Sequence, residues 1–489
     1  MRRSTMLAAA VLILGVACVG AKETAIPRPD GGSLTPARID ATVTRLMDSA
    51  HVTGAGVAVF HHGKIVYLKA YGLRDTEKGL PLTPDSVMTS ASLSKAAFAT
   101  VVAGLAGKGL LDLDRPIAAY LPKPLPDYPA YADLAGDERW RLFTLRILLS
   151  HTAGFANFRG FEPDLKLRIH FQPGTRYAYS GEGIELAQFV VETATGRPLQ
   201  TLMQEYLFQP DAMTRTSMVW EPRFESDFAN GYDEFGRSLG PERRSHADAA
   251  GSMQTTLRDY AAFLSALLRN KPLGAPATGS LFDRQIAIHS AHQFPSLAPE
   301  TTSANDAIRL SYGLGWGIYS SPWGEAFFKE GHDEGWRHLA LLFREHGDGI
   351  LILTNSSNGE GVFKPLIDQF LGPTGFPFEW EGYTPWDKLP PLPKLKQHTR
   401  AALTPAQLER VAGRYALGTD VVLTATVASD HLLIRENDET PQEYLPESAE
   451  SFYSTTSTDV CTFPPSAGPA QFLVLHLDDG RTFELKRLP

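Results

Sequence analysis

Apolar positions at Ile39, Val43, Leu46 and Met47 recur with helical spacing and predict a helix over residues 37–50. Two β-rich runs follow, residues 54–60 and 65–71, joined by His61-His62-Gly63-Lys64. They read as a hairpin, with the two histidines as turn residues. Residues 91–108 are dense in small apolar side chains and are followed by Gly109, the mark of a helix with a glycine cap. Helices are also predicted over residues 184–195, closed by Gly196, and over 257–269. Strand-like runs return at 314–319, 326–329, 339–343 and 349–354. Strands at both ends of a helical middle predict an α+β domain whose antiparallel sheet is closed by distant parts of the chain.

The pattern then changes. Pro385, Pro390, Pro391 and Pro393 favour an extended linker. From residue 403 onward come short alternating runs at 421–426, 431–435, 471–477 and 482–485. Turns such as Ser429-Asp430 and Asp478-Asp479-Gly480 separate them, which predicts a small all-β, barrel-like domain. At the other end, Arg2 and Arg3 precede an apolar run over residues 6–19 and the small pair Gly20-Ala21, the layout of a secretory leader cut after Ala21. The alternative is a lipoprotein anchored at Cys18, although Gly15 stands where such a box usually has Leu. Residues 22–35 are polar, with Pro27, Pro29 and a glycine pair, and read as a tether. The expected organisation is a leader over 1–21, a tether over 22–36, an α+β domain over 37–380, a Pro-rich linker over 381–402 and a β-barrel domain over 403–489. No later segment has eighteen uninterrupted apolar residues, so no spanning helix is expected.

Composition narrows the function classes. The chain has 489 residues, too many for one ordinary core, and its 43% hydrophobic content is that of a folded protein. Lys plus Arg is 46 against 55 Asp plus Glu, a net charge of -9, which argues against a nucleic-acid partner. Two cysteines, one of them in the leader, leave Cys461 alone, with no internal disulfide and no zinc pattern. No metal and no cofactor are expected.

Ser92-Leu93-Ser94-Lys95 is the only S-x-x-K in the chain. At a helix start, residues three apart share a face, so the hydroxyl and the amine can meet, and free backbone N–H groups there suit a developing oxyanion. A desolvated lysine near another cation can serve as the base a serine needs. Alone the motif is weak. Its company is not: Tyr179 lies in Tyr177-Ala178-Tyr179-Ser180-Gly181 just before a helix, and Lys329-Glu330-Gly331 is the only K-x-G in the chain and ends a strand.

The order S-x-x-K, Tyr, K-x-G resembles the serine β-lactamases and penicillin-binding proteins, in particular the class C β-lactamases and the carboxypeptidases and esterases related to them. The flanks Leu148-Leu149-Ser150-His151-Thr152-Ala153-Gly154, Pro173-Gly174-Thr175 and Tyr312-Gly313-Leu314-Gly315-Trp316 are also similar to that family's. The resemblance spans about residues 37–371, and the tail looks like the barrel that some relatives carry. It implies a β-lactamase-like fold, with Ser92 as nucleophile, Lys95 as proton acceptor, and Tyr179 sharing that work or protonating the leaving group. It further implies that Lys329 lowers the pKa of its neighbours and attracts an anionic substrate group, and that the backbone N–H groups of Ser92 and His332, just past Gly331, form the oxyanion hole. The side chain of His332 reads as structural or substrate-lining, and His151 as a hydrogen-bonding loop residue.

One departure bears on substrate. The family's Y-x-N is Tyr179-Ser180-Gly181 here, and Gly181 offers no amide, so β-lactam turnover is expected to be weak and room for bulky acyl groups ample; Glu182 could fill part of the gap or simply favour a helix start. Gly236-Arg237-Ser238-Leu239-Gly240 matches G-x-S-x-G, but polar flanks and Pro241 give it neither the strand nor the helix that a nucleophile elbow requires. The expectation is an exported serine hydrolase acting on a small ester, amide or peptide: an esterase or D-amino-acid peptidase, alternatively a β-lactamase. From another class, a slow binding or sensing protein could keep the fold. Nothing in the sequence speaks to oligomeric state.

Overall fold

Alternation along the strands builds the larger domain. The computed structural model describes residues 25–269, 280–388, 398–417, 421–437, 441–455, 457–466, 468–477 and 481–489. Its main sheet has nine antiparallel strands in the order Ile286–Ala287, Ser311–Tyr312, Gly317–Ser321, Gly324–Asp333, Trp336–Phe343, Asp348–Thr354, Gly54–His61, Lys64–Asp75 and Leu80–Pro81. The last long strand of the domain, Asp348–Thr354, pairs with the first, Gly54–His61, with Ile350 opposite Val59 and Ile352 opposite Val57.

Successive side chains of a strand leave on opposite faces, and here both faces are buried. Val57, Val59, Leu339, Leu341, Ile350 and Ile352 share a core with Ile39, Val43 and Leu46 of the helix Pro36–Ala50 and with Leu366, Ile367 and Phe370 of the helix Phe363–Leu371. Ala58, Phe60, Ala340, Leu342, Leu351 and Leu353 face the other way, onto the helices Leu93–Gly107, Gly181–Thr195 and Leu257–Leu268. The fold is α+β, as the pattern predicts. The helix expected from 184 starts at Gly181, because Ser180 caps it by accepting from the Gly183 N–H at 3.0 Å.

The ends of this domain differ from expectation. Residues 26–34 are not a tether: Ile26–Pro27 pairs with Ser33–Leu34, and Ile26 and Leu34 are buried in the same core as the helix Pro36–Ala50. Burying two large aliphatic side chains contributes roughly 1.5–3 kcal/mol each, enough to hold a short hairpin down. The linker expected from 381 likewise begins late, since Glu381 and Tyr383 are buried and Trp386 packs on the core. Residues 389–397, which hold the remaining linker prolines, lie outside the described residues, as do the leader and Cys18.

After the helix Pro405–Val411, held by a capping box at Thr404 and Gln407, the chain forms a closed eight-stranded barrel. Its first strand, Gly413–Leu417, pairs with its last, Thr482–Arg487. Tyr415, Leu423, Leu432, Ile434, Tyr444, Phe452, Cys461, Leu473 and Leu485 fill its interior. The hydrophobic pattern missed the strands Gly413–Leu417, Gln442–Pro446, Ser451–Ser454 and Val460–Thr462, which are short and bury only one or two side chains each. Among the described residues no helix is long and apolar enough to cross a membrane.

Candidate active site

The nucleophile turn is anchored from both sides. Met88–Thr89 pairs with Gln254–Thr255, and the Ser90 N–H donates to the Met253 carbonyl at 2.9 Å. The Met253 N–H in turn donates to Ser94 Oγ at 3.2 Å, and that hydroxyl donates to the Ala91 carbonyl at 2.7 Å. Ala91 has φ 47°, a left-handed conformation that costs a residue with a β-carbon about 1 kcal/mol or more. This elbow sets half-buried Ser92 at the N-cap of the helix Leu93–Gly107. No partner for the Ser92 N–H is found among the described residues, which leaves it available to an oxyanion.

One helical turn on, Lys95 is buried, and its Nζ donates to Ser92 Oγ at 2.9 Å and to the Ala250 carbonyl at 2.6 Å. Burial, and then the cation of Lys329, push the Lys95 ammonium down to about 7, against the pull of Asp248 and Glu330. A lysine so held is a free base over much of the neutral range, which is what proton abstraction from Ser92 requires. The Ala250 carbonyl escaped the sequence reading because a backbone acceptor leaves no mark in residue type.

Tyr179 is held by the loop at His151. The Ala178 N–H donates to the His151 carbonyl at 2.8 Å, and the Ser180 N–H donates to His151 Nδ1 at 3.1 Å. Burial drives the His151 imidazole well below its usual range, and the rings of His151 and Tyr179 lie 4.4 Å apart. His151 is therefore a neutral spacer and hydrogen-bond acceptor, in keeping with its reading as a loop hydrogen-bonder. Burial, then the Glu330 carboxylate, push the Tyr179 phenol well above its usual range, with a hydrogen bond from the Ser92 side pulling the other way. Tyr179 sits in the ground state as a phenol, and its oxygen accepts from Lys329 Nζ at 3.0 Å.

Lys329 lies on the strand Gly324–Asp333, whose pairing with Gly317–Ser321 ends at Phe328, so the edge beyond it is open toward Ser92. The side chain is fully buried, and its Nζ pairs with Glu330 Oε1 at 2.5 Å. The same carboxylate oxygen accepts from Gln293 Nε2 at 3.1 Å. Here the structure corrects the expected role: with its charge met by Glu330, Lys329 offers no open cation to a substrate anion. Glu330 appeared in the sequence only as part of an acidic cluster with Asp333 and Glu334. Of those two, Asp333 is taken by Arg244 at 3.2 Å.

Gly331 is a steric requirement, since a β-carbon there would stand 2.7 Å from the Ser90 carbonyl oxygen. His332 follows, its imidazole pushed down to about 3 by burial and then by Arg337, its ring 5.4 Å from that of Tyr383. Uncharged at neutral pH, it can line the site but cannot act as an acid there.

The reading of Gly181 as open space does not hold. A β-carbon at this position would run into the Phe158 ring, and the Gly181 N–H donates to Asn157 Oδ1 at 2.9 Å. Phe158, four residues beyond the Ala153-Gly154 loop motif, fills the place a larger residue would need. Glu182 does not replace the amide either: it is buried, and the Arg159 Nε and Nη2 hold its carboxylate at 2.9 and 2.8 Å. Ser238 pairs with Tyr232 in a short hairpin, with no strand-to-helix elbow.

Comparison with known proteins follows the same line. The family model described as Beta-lactamase matches residues 39–369. Esterase EstB of Burkholderia gladioli is 28% identical over 386 residues, covering 69% of this chain and 94% of the esterase. D-aminopeptidase of Gluconobacter oxydans is 25% identical over 202 residues, 40% of this chain and 38% of that protein. Among solved structures, the octameric penicillin-binding protein homologue from Pyrococcus abyssi superposes with a TM-score of 0.56 at 18% identity, over 92% of this chain and 99% of that one. With the family model spanning more than half of its length, the chain belongs to the β-lactamase family and is a serine hydrolase.

Proposed function

We propose that this protein is an exported hydrolase that forms an acyl-enzyme at Ser92 and acts on small carboxylic esters or D-amino-acid amides more readily than on β-lactams. The observation that carries the reading is the 2.9 Å hydrogen bond between Lys95 Nζ and Ser92 Oγ, made by a buried lysine whose pKa is about 7. Neutral Lys95 takes the Ser92 proton as Oγ attacks the substrate carbonyl. The tetrahedral oxyanion forms against the Ser92 and His332 backbone N–H groups. Tyr179, a phenol between Lys329 and Ser92, delivers a proton to the leaving group and is reprotonated from the lysine side. Water then attacks the acyl carbonyl as Lys95 accepts its proton; the bond to Ser92 Oγ breaks, Lys95 returns that proton to Oγ, and the acyl group leaves as the free acid. Export rests on residues 1–21, with Arg2, Arg3 and the apolar run behind them.

Support for ester over β-lactam comes from the Tyr179-Ser180-Gly181 segment, which presents no side-chain amide where relatives use one. The extent of similarity to an esterase points the same way. The test is labelling with a fluorophosphonate, peptide mapping by mass spectrometry, and turnover of short nitrophenyl esters beside nitrocefin. Adduct on Ser92, with loss of both labelling and turnover in Ser92→Ala, is expected. Adduct on Ser238, or nitrocefin turned over as fast as the best ester, would overturn the proposal.

A further inference from the structure

Because Lys329 is closed off by Glu330, any negative charge on a substrate must find its partner elsewhere, and the junction of the two domains holds candidates. A cleft of about 650 Å³ lies between the hydrolase segment that carries Arg244, His246 and Asp248 and the barrel wall that carries Arg414, Thr424 and Arg435. The three barrel residues form one row. Arg414 is opposite Thr424 in the first pair of strands, and Thr424 is opposite Arg435 in the next. Directly paired positions send their side chains to the same face, so two guanidinium groups flank one hydroxyl, their backbones about 10 Å apart.

Arg414 and Arg435 are exposed, and neither has an ion pair or a side-chain hydrogen bond among the described residues. Other arginines, at 139, 146, 159, 215, 237, 243, 244 and 258, hold carboxylates. Two like charges on one face, with a single strand between them, repel one another and favour an anion placed between them. Asp248 is the one acid in the lining.

The cleft also adjoins the reacting groups. Two residues past Asp248, the Ala250 carbonyl holds Lys95 Nζ at 2.6 Å. On the same segment, Arg244 pairs at 3.2 Å with Asp333, two residues past Gly331. The charge of Asp248, in the cleft lining, also bears on Lys95.

We infer that the Arg414–Thr424–Arg435 row forms a subsite for an oxyanion, carboxylate or phosphate, carried by the substrate away from its scissile carbonyl. This deepens the reading of Ser92 as an ester- and amide-cleaving nucleophile and rests on it. A planar guanidinium presents paired donors that match the two oxygens of either group, and two of them with a hydroxyl between can hold one anion or the ends of an extended one. The preferred substrates are then acyl compounds with an acidic tail, and the barrel is the element that selects them.

The test uses the full-length protein and mono-nitrophenyl esters of dicarboxylic acids of increasing chain length. Each is compared with its neutral methyl ester and with a phosphonate of the same length. The quantity read is the ratio of kcat/KM for the anionic ester to that for the neutral one. It is expected to exceed one at a preferred length, to decline as ionic strength rises, and to fall about tenfold in Arg414→Ala/Arg435→Ala. Arg414→Lys/Arg435→Lys, which keeps the charge without the fork, should lie between. The carboxylate and phosphonate arms decide which oxyanion is preferred. A ratio no greater than one at every length, or one unchanged in the alanine pair, would overturn the inference. Turnover of the neutral esters reports on the Ser92 reading separately. Should no ester be turned over, isothermal titration of glutarate and 4-phosphonobutyrate into Ser92→Ala protein decides the matter. Binding lost in the alanine pair supports the subsite; no binding, or binding equal in both proteins, refutes it.

Discussion

Lys329 Nζ lies 2.5 Å from Glu330 Oε1, and both side chains are almost wholly removed from solvent. A buried cation is tolerated only with such a partner, and breaking the pair by removing one member typically costs about 3–5 kcal/mol. The pair also governs Lys95, whose low pKa depends in part on the Lys329 charge.

Glu330→Gln is therefore expected to lower the melting temperature and to alter the pH profile. The Glu330 carboxylate holds the Lys95 pKa up against burial and the Lys329 cation, so its loss lowers that pKa and moves the acid limb of kcat/KM to lower pH. Glu330→Asp should recover part of both losses. A variant with the parent's pH profile would show that Glu330 acts on stability alone.

In the parent enzyme, kcat/KM for a neutral nitrophenyl ester should rise with pH through about 7 as one proton leaves Lys95. The sign follows from the base being the neutral amine: below that value the ammonium holds the proton that Ser92 must pass on. Lys95→Arg, always protonated, should lose several orders of magnitude in kcat across the whole range. A flat profile between pH 5 and 9, well outside the scatter of about one unit in such pKa values, would remove Lys95 from the role of base.

Gly181→Asn, the change that would rebuild Y-x-N, should not produce a β-lactamase. The new side chain collides with Phe158, and overpacking of this kind costs about 1–3 kcal/mol. The expected result is a lower melting temperature with nitrocefin turnover no higher than the parent's. Pairing it with Phe158→Ala should restore stability more than either change alone predicts. Efficient nitrocefin hydrolysis by the single variant would show that the loop yields easily.

Gly331→Ala brings a β-carbon to 2.7 Å from the Ser90 carbonyl, two residues before the nucleophile. The strand and the nucleophile turn must separate, and a shift approaching 1 Å at a reacting group can cost about 10²-fold in rate. We expect kcat to fall by that order while the far-ultraviolet circular dichroism spectrum is retained. Parent-like kcat would show that the contact is dispensable.

The sequence by itself determined the elements that bury continuous or strictly periodic apolar faces: the helices at 36–50, 93–107 and 257–268 and the hairpin at 54–75. It also identified Ser92, Lys95, Tyr179 and Lys329, because chemistry restricts which residue types can serve and the order of the motifs is distinctive. Tertiary structure decided what depends on residues far apart in the chain. Whether residues 26–34 hang free or pack turned on a core made by residues more than three hundred positions away. Whether Gly181 opens a pocket turned on Phe158, and whether Lys329 meets substrate turned on how deeply the sheet buries it beside Glu330. Arg414 and Arg435 look like ordinary surface charges along the chain, and only the register of three consecutive barrel strands sets them in one row beside the hydrolase loops. Side-chain periodicity is local and can be read from a string of residues. Burial, steric exclusion and the pairing of charges are properties of the assembled fold.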